Sequence, residues 1–273
     1  MAVKIVAEIG SNHCGSLELA HRHVEEAAGI GCDAVKFQLF RAHTLTADKS
    51  KWAEIRRWEL PSYWLESLKD WAHEEGLRFY CTPFSLEACE ELEGKIDAVK
   101  ISAYDLTYDV LVRRAAQIGV PVILSTAMAT WAEMAQAVEQ VCKGHGGPAD
   151  ITLLQGVAQY PCRLEDMNLS ALLTMKARSR YCQVGISDHT LGIEAALACV
   201  CMGGTMIEKH FKLPWVKSPD AGHSMEPKQM GILVERVREI EVAMGTGKKE
   251  GPLPCEIELF KTCRRTDEKP LRR

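Results

Sequence analysis

The sequence predicts an α/β chain folded as a (β/α)8 TIM barrel, with a single domain and a short C-terminal tail. Three observations predict it. First, eight short apolar runs of β-type recur, at residues 3–8, 34–38, 78–82, 98–102, 121–125, 152–155, 184–187 and 206–210. Second, these runs are apolar at consecutive positions, as strands covered on both faces are. Third, amphipathic stretches separate them, such as residues 17–29, 65–76, 86–92, 131–142 and 192–202. Strands alternating with helices imply a parallel sheet. Eight such units in a chain of 273 residues close into a barrel. A last helix is expected over residues 227–244, ending the barrel near residue 245. Residues 246–273 then read as a linker-like tail: Gly245-Thr246-Gly247-Lys248-Lys249, Gly251-Pro252-Leu253-Pro254, and a charged end from Arg264-Arg265 to Arg272-Arg273.

Bulk properties narrow the function. With 47% hydrophobic and 26% charged residues, neither disorder nor low complexity is expected. A net charge of -4 argues against a nucleic-acid surface. The chain opens directly into a strand-like stretch, without the features of a signal peptide, and no apolar run reaches membrane-spanning length. A cytoplasmic protein is expected. Its eleven cysteines are an odd number and include no CxxC pair, so they read as reduced, small apolar residues. On a helix, Cys199 and Cys201 point to different faces.

A barrel places its chemistry at the C-terminal ends of its strands. Here those ends read Glu8, Lys36 and Gln38, Thr82, Lys100, Ser125, Ser187-Asp188-His189 and Glu208-Lys209-His210, a ring of polar and ionisable residues. His189 and His210 end successive strands, which lie about 4.8 Å apart, so two imidazoles can share one metal. Asp188 and Glu208 flank them, as ligands or as supports for ligands. Such a nitrogen and oxygen donor set suits Mn²⁺, Fe²⁺, Co²⁺ or Zn²⁺. Lys36 and Lys100, with Thr82, Ser125 and Ser187, form a cationic, hydroxyl-rich cradle for phosphate or carboxylate. Two other readings are that one lysine pairs structurally with Glu8 or Asp188, or that one forms a Schiff base. His13 either reaches the pocket or caps its loop. His223 follows the eighth strand, a position that favours the pocket mouth only weakly. His21, His23, His43, His73 and His145 read as surface residues. The long segment at residues 40–58 either covers the pocket or is a solvated decoration.

Taken together, these residues resemble the sialic acid synthase family. The resemblance rests on Ala7-Glu8-Ile9-Gly10-Ser11-Asn12-His13, Lys36-Phe37-Gln38, Cys81-Thr82-Pro83-Phe84, Ile123-Leu124-Ser125-Thr126 and Tyr160-Pro161. It continues through Gly185-Ile186-Ser187-Asp188-His189-Thr190, Ile207-Glu208-Lys209-His210-Phe211 and Pro219-Asp220, in family order over about residues 3–228. It implies a metal-dependent synthase on a TIM barrel, joining phosphoenolpyruvate to a sugar aldehyde to give a 3-deoxy-2-keto sugar acid and phosphate. It also implies His189 and His210 as metal ligands, with Mn²⁺ first, ahead of Mg²⁺, Co²⁺, Fe²⁺ and Zn²⁺. Lys36, Thr82, Lys100, Ser125 and Ser187 would bind phosphoenolpyruvate. Gln38, Tyr160 and Asp220 would lie at the sugar, and Glu8, Asp105 or Glu208 would move protons.

The sequence departs from the family pattern at three points. Where the family has a phosphate-binding serine, a glycine and a glutamate, this chain has Ala103, Tyr104 and Asp105; Ala158 replaces an asparagine found in some members. At about 1 kcal/mol per lost contact, affinity falls tenfold or more. The family's C-terminal antifreeze-like (SAF) domain, which lids the partner's site in its dimers, is absent from this sequence. Either a separate lid subunit then completes the sugar side, or the acceptor differs from N-acetylmannosamine; a second copy is also an expected partner, as in the family's homodimers. Two alternatives to the synthase stand: a diverged barrel with another aldol-type or phosphate-releasing reaction, and a non-catalytic subunit that needs a partner.

Overall fold

The computed structural model describes residues 2–267. The chain divides into two compact units, residues 1–241 and 242–273.

The first unit is built from eight parallel strands: β1 (Lys4–Glu8), β2 (Ala34–Leu39), β3 (Arg78–Pro83), β4 (Ala98–Ile101), β5 (Val122–Ser125), β6 (Ile151–Gly156), β7 (Gln183–Asp188) and β8 (Met206–His210). They pair in sequence order, and β8 returns to β1, closing the barrel. One principal helix follows each strand: α1 (Leu17–Ile30), α2 (Leu65–Glu74), α3 (Leu86–Leu92), α4 (Asp109–Ala116), α5 (Trp131–His145), α6 (Ala171–Arg178), α7 (Glu194–Cys201) and α8 (Pro227–Met244). The expected strand limits are met to within a residue or so.

The consecutive burial of the strands has two causes, one per face. Outward residues such as Ile5, Val35, Phe37, Phe79, Val99, Leu124, Ile186 and Ile207 pack under the helices in the main core. Inward residues Val6, Ala34, Tyr80, Ala98, Ile123, Leu154 and Met206 fill the lower barrel as a separate apolar layer. Gly185 completes this layer. A Cβ there would lie 2.3 Å from the Met206 carbonyl oxygen and 2.9 Å from Leu154 Cδ2.

Polar groups pin the shell as well. Lys209 on β8 is fully buried and points outward. Its ammonium meets Asp188 at 2.8 Å and the carbonyls of Thr190 and Gly192 at 2.6 and 2.8 Å. Asp188 also accepts from the Thr190 amide at 2.9 Å. The pair therefore ties β7 to β8 and to the turn that follows β7. Asp188, expected near the metal, is instead committed to this outward pair.

One histidine differs from the surface reading. His23 is buried on α1: its Nδ1 lies 2.7 Å from the Leu19 carbonyl, and its Nε2 accepts from the Leu213 amide at 3.2 Å. His13 caps its own loop, with Nδ1 accepting from the Gly15 amide at 3.1 Å. Cys199 is buried and Cys201 exposed on the same helix, as their spacing implies; all eleven cysteines are free. No helix among the described residues is long and apolar enough to cross a membrane.

The second unit holds a turn at Pro254–Glu256 and a helix, α9 (Ile257–Cys263), where a linker-like tail is expected. The Glu256 carboxylate accepts from the Leu253 amide at 2.7 Å and starts this helix. The charged end over residues 269–273 lies outside the described residues.

Two stability predictions follow from this packing. Lys209→Met strands a buried carboxylate and should cost about 3–5 kcal/mol in urea unfolding; a loss under about 1 kcal/mol contradicts the pairing role. Gly185→Ala overfills the barrel and should cost about 1–3 kcal/mol in the same assay; a neutral result contradicts the close approach.

Candidate active site

Period two along each strand carries the inward direction up to the C-terminal rim, where its chemistry changes. Above the apolar layer, the inward positions are Glu8 on β1, Lys36 and Gln38 on β2, Thr82 on β3, Lys100 on β4, Ser125 on β5, Ser187 on β7, and Glu208 and His210 on β8. With His189 just past β7, all of them line one cavity of about 230 Å³, joined by Tyr160 and Asp220 from the loops. Apart from the outward Asp188 and Lys209, the strand-end ring read from the sequence thus lines one cavity. Leu45, from the segment at residues 40–58, also reaches it.

Asp105 does not line that cavity. Its backbone turns back to the Ser102 carbonyl at 3.0 Å, and its buried Oδ2 has no hydrogen-bond partner. Burial raises its carboxyl to about 6. Ser102, two residues after the inward Lys100, lines the cavity beside Ala103 and Tyr104. Its hydroxyl accepts from the Tyr104 amide at 3.2 Å.

Four buried charges form the floor. Lys36 Nζ lies 2.6 Å from Glu8 and 3.6 Å from Glu208, and donates to Thr82 Oγ1 at 3.1 Å. Lys100 donates to Glu208, which also accepts from Ser187 Oγ at 3.0 Å. Gln38 donates to Glu8 at 2.6 Å. Lone ions here would be costly, and the alternating signs offset that cost. The two carboxyls nevertheless differ. Burial raises Glu8 and outweighs the opposing pull of Lys36. For Glu208, burial acts in the same direction, but Lys100 and Lys36 outweigh it and hold the carboxyl at about 2. Between the lysines, burial lowers Lys100, whereas Glu208 and Glu8 overcome burial and raise Lys36.

On the β7–β8 side stands an aromatic cluster. His189 and His210 have ring centroids 5.7 Å apart, His210 and His223 4.5 Å apart. The Tyr160 ring lies 4.2 Å from His189 and 4.9 Å from His223. His189 Nδ1 faces the Val157 carbonyl at 2.8 Å, which leaves Nε2 to the cavity. Burial lowers His189 to about 4 and His210 to about 3, so both are neutral at pH 7 and able to ligate a metal. His210 Nδ1 and His223 Nε2 are buried without a hydrogen-bond partner. An unmet buried donor or acceptor costs about 1–3 kcal/mol. His210, Asp220 and His223 each offer one ligand atom, all within 4.8 Å of one another. His223, which sequence position favoured only weakly, thus stands in a group of three possible metal ligands, with the His189 ring 6.5 Å away. The signal available in the sequence was three residues of spacing after Asp220, too common to single out.

The model of the NeuB family matches residues 23–249. The N,N'-diacetyllegionaminic acid synthase of Campylobacter jejuni is 35% identical over 263 residues, covering 90% of this chain and 78% of that protein. The pseudaminic acid synthase of the same organism is 33% identical over 264 residues, covering 90% of this chain and 76% of its own. The crystal structure of an N-acetylneuraminic acid (sialic acid) synthetase from Leptospira borgpetersenii, in complex with citrate, superposes with a TM-score of 0.89 at 32% identity. It covers 97% of this chain and 94% of that one. The chain belongs to the NeuB family and is an enzyme, a phosphoenolpyruvate-dependent, carbon–carbon bond-forming synthase of the sialic acid synthase-like kind.

Proposed function

We propose that this chain condenses phosphoenolpyruvate with the aldehyde of an N-acetylmannosamine-like aldose, giving a nonulosonate-like 3-deoxy-2-keto sugar acid and phosphate. The observation that carries the reading is the paired arrangement of Lys36 and Lys100 at the bottom of a hydroxyl-lined cavity. Two buried ammonium groups beside Thr82, Ser125 and Ser187 suit the phosphate and carboxylate of one small polyanion. The sialic, legionaminic and pseudaminic acid products named for the relatives are sugar acids of this class.

A divalent cation fits the β7–β8 side, because neutral imidazoles with unpartnered buried nitrogens stand there. His189 and His210 would hold it, with Mn²⁺ the first candidate. When bound, such an ion supplies Lewis acidity to the aldehyde oxygen. Lys36 and Lys100 hold the anionic substrate and the charge that develops on it. Gln38 and Tyr160 border the space left for the sugar. C3 of phosphoenolpyruvate adds to the aldehyde carbon, water adds at C2, and phosphate leaves by C–O cleavage. The two floor carboxyls are pushed apart in acidity, which divides their roles. Glu8, raised by burial, is the group that takes and returns a proton; Glu208 stays ionised and orients Lys100 and Ser187.

Two experiments test this reading. Phosphate release from phosphoenolpyruvate is measured with Mn²⁺ across a panel of aldoses that includes N-acetylmannosamine, its 6-phosphate and other aminosugars. The expected result is release that requires both metal and one aldose, and is lost in His189→Ala and His210→Ala. No release with any aldose overturns the synthase reading. With the active aldose, Glu8→Gln should lower the rate about 10²–10⁴-fold, as loss of a positioned acid–base group does. Asp105→Asn should change it less than about threefold, because Asp105 lies off the cavity. Equal losses in the two variants contradict the assignment to Glu8.

A further inference from the structure

We infer that Asp220 and His223 join His189 and His210 as further ligands of that cation, adding one carboxylate and one imidazole. Asp220 then serves the cation rather than the sugar. The inference rests on the reading that this cavity takes a divalent cation, and it adds ligands to it.

The carboxylate of Asp220 is divided between two tasks. Its Oδ2 accepts from the Ser11 amide at 2.7 Å and from Ser11 Oγ at 2.8 Å. Its Oδ1 faces His223 Nε2 at 3.8 Å. That nitrogen is buried and has no hydrogen-bond partner, and the same holds for His210 Nδ1. At 3.8 Å the contact between Oδ1 and Nε2 is too long for a hydrogen bond. His210, Asp220 and His223 each offer one ligand atom, all within 4.8 Å of one another, and two imidazole nitrogens of this group lack a partner, so the three share one unmet need, a cation.

The loop that carries these ligands is anchored as a metal site requires. Asn12 Nδ2 donates to the Phe211 carbonyl at 2.8 Å and to Ser224 Oγ at 3.0 Å, and Asn12 Oδ1 accepts from Ser218 Oγ. Ser224 Oγ donates to the Asp220 carbonyl at 2.7 Å. One asparagine thus grips the loop on both sides of Asp220 and His223. Gly10 makes room for it: a Cβ there would stand 2.3 Å from Asp220 Oδ2. Holding the carboxylate by one oxygen leaves the other fixed toward the imidazoles, an arrangement in which outer contacts set the ligand's direction.

Three imidazoles and one carboxylate would leave the ion's remaining positions open, a nitrogen and oxygen donor set that suits Fe²⁺, Co²⁺ and Mn²⁺. By the usual order of divalent affinities, Co²⁺ should bind this set more tightly than Mn²⁺.

The test is titration of the metal-free, full-length protein with Co²⁺, followed by its visible absorption, and with Mn²⁺ by calorimetry. His223→Phe keeps an aromatic ring against Tyr160 while removing the ligand, and circular dichroism checks that it folds. The expected result is at least a tenfold loss of Co²⁺ affinity with altered visible bands in His223→Phe and Asp220→Asn, partial recovery of affinity in His223→Cys, and no detectable site in His210→Ala. Wild-type affinity and spectrum in His223→Phe would overturn the inference and leave a metal on His189 and His210 standing. Wild-type Co²⁺ binding in His210→Ala would instead overturn the metal reading of the cavity as a whole.

Discussion

The structure depends on one constraint: a closed parallel barrel gives each strand residue only two destinations, under a helix or inside the barrel. Because β8 pairs with β1, no edge strand remains to relax that rule. The choice repeats every second residue, so the sequence of β8 sorts itself without ambiguity. Met206, Glu208 and His210 go in, and Ile207 and Lys209 go out. A shift of one residue would place the fully buried Lys209 in the cavity and Glu208 under the helices. The outward pair of Lys209 and Asp188 and the inward pair of Lys100 and Glu208 make such a shift costly, since each buried ion would lose its partner.

The inward charges explain how two buried ammonium groups are held side by side in the cavity. Lys36 and Lys100 repel each other and any uncompensated burial, and Glu8 and Glu208 offset both. Glu208 bonds to Lys100 and Ser187 and lies near Lys36, so it fixes the geometry of the cradle from three strands. Glu8 is held by Lys36 and Gln38. Under the proposed function, an entering polyanion would compete with these carboxylates for the same two ammonium groups. That competition provides a physical route from substrate binding to a change in the proton affinity of Glu8, because a weakened Lys36 contact removes its main source of ionised-form stabilisation.

The strand order and most of the site were legible in the sequence because both obey short, local rules. Buried parallel strands leave continuous apolar runs, and polar residues at the ends of those runs mark the rim. Glu8, Lys36, Lys100, Ser187, Glu208 and His210 could be read in this way. What escaped is set by tertiary contact or by where a strand stops. His23 looks like a surface residue on an amphipathic helix until the Leu213 amide, far along the chain, is placed against it. Asp188 and Glu208 look alike as acidic neighbours of histidines, and only strand parity separates an outward structural ion from an inward one. Asp105 depends on β4 ending at Ile101, after which the chain turns and carries the carboxyl off the cavity. His223 sits in a loop whose path no periodicity describes.

That loop shows what barrel closure contributes beyond a core. Residues 10–12 follow the first strand and residues 218–224 follow the last, so about two hundred residues separate Ser11 from Asp220, yet they bond directly at 2.7 and 2.8 Å. Their meeting requires β1 beside β8 in a register that sets Glu8 opposite His210. The Asn12 side chain then spans the seam, reaching the Phe211 carbonyl and Ser224. The polar groups that orient Asp220 and His223 are thus the same groups that lock the barrel shut at its functional end. A substitution such as Asn12→Ala therefore acts on stability and on the donor cluster together, whereas a change at Lys209 acts through the shell alone, since that residue touches nothing in the cavity.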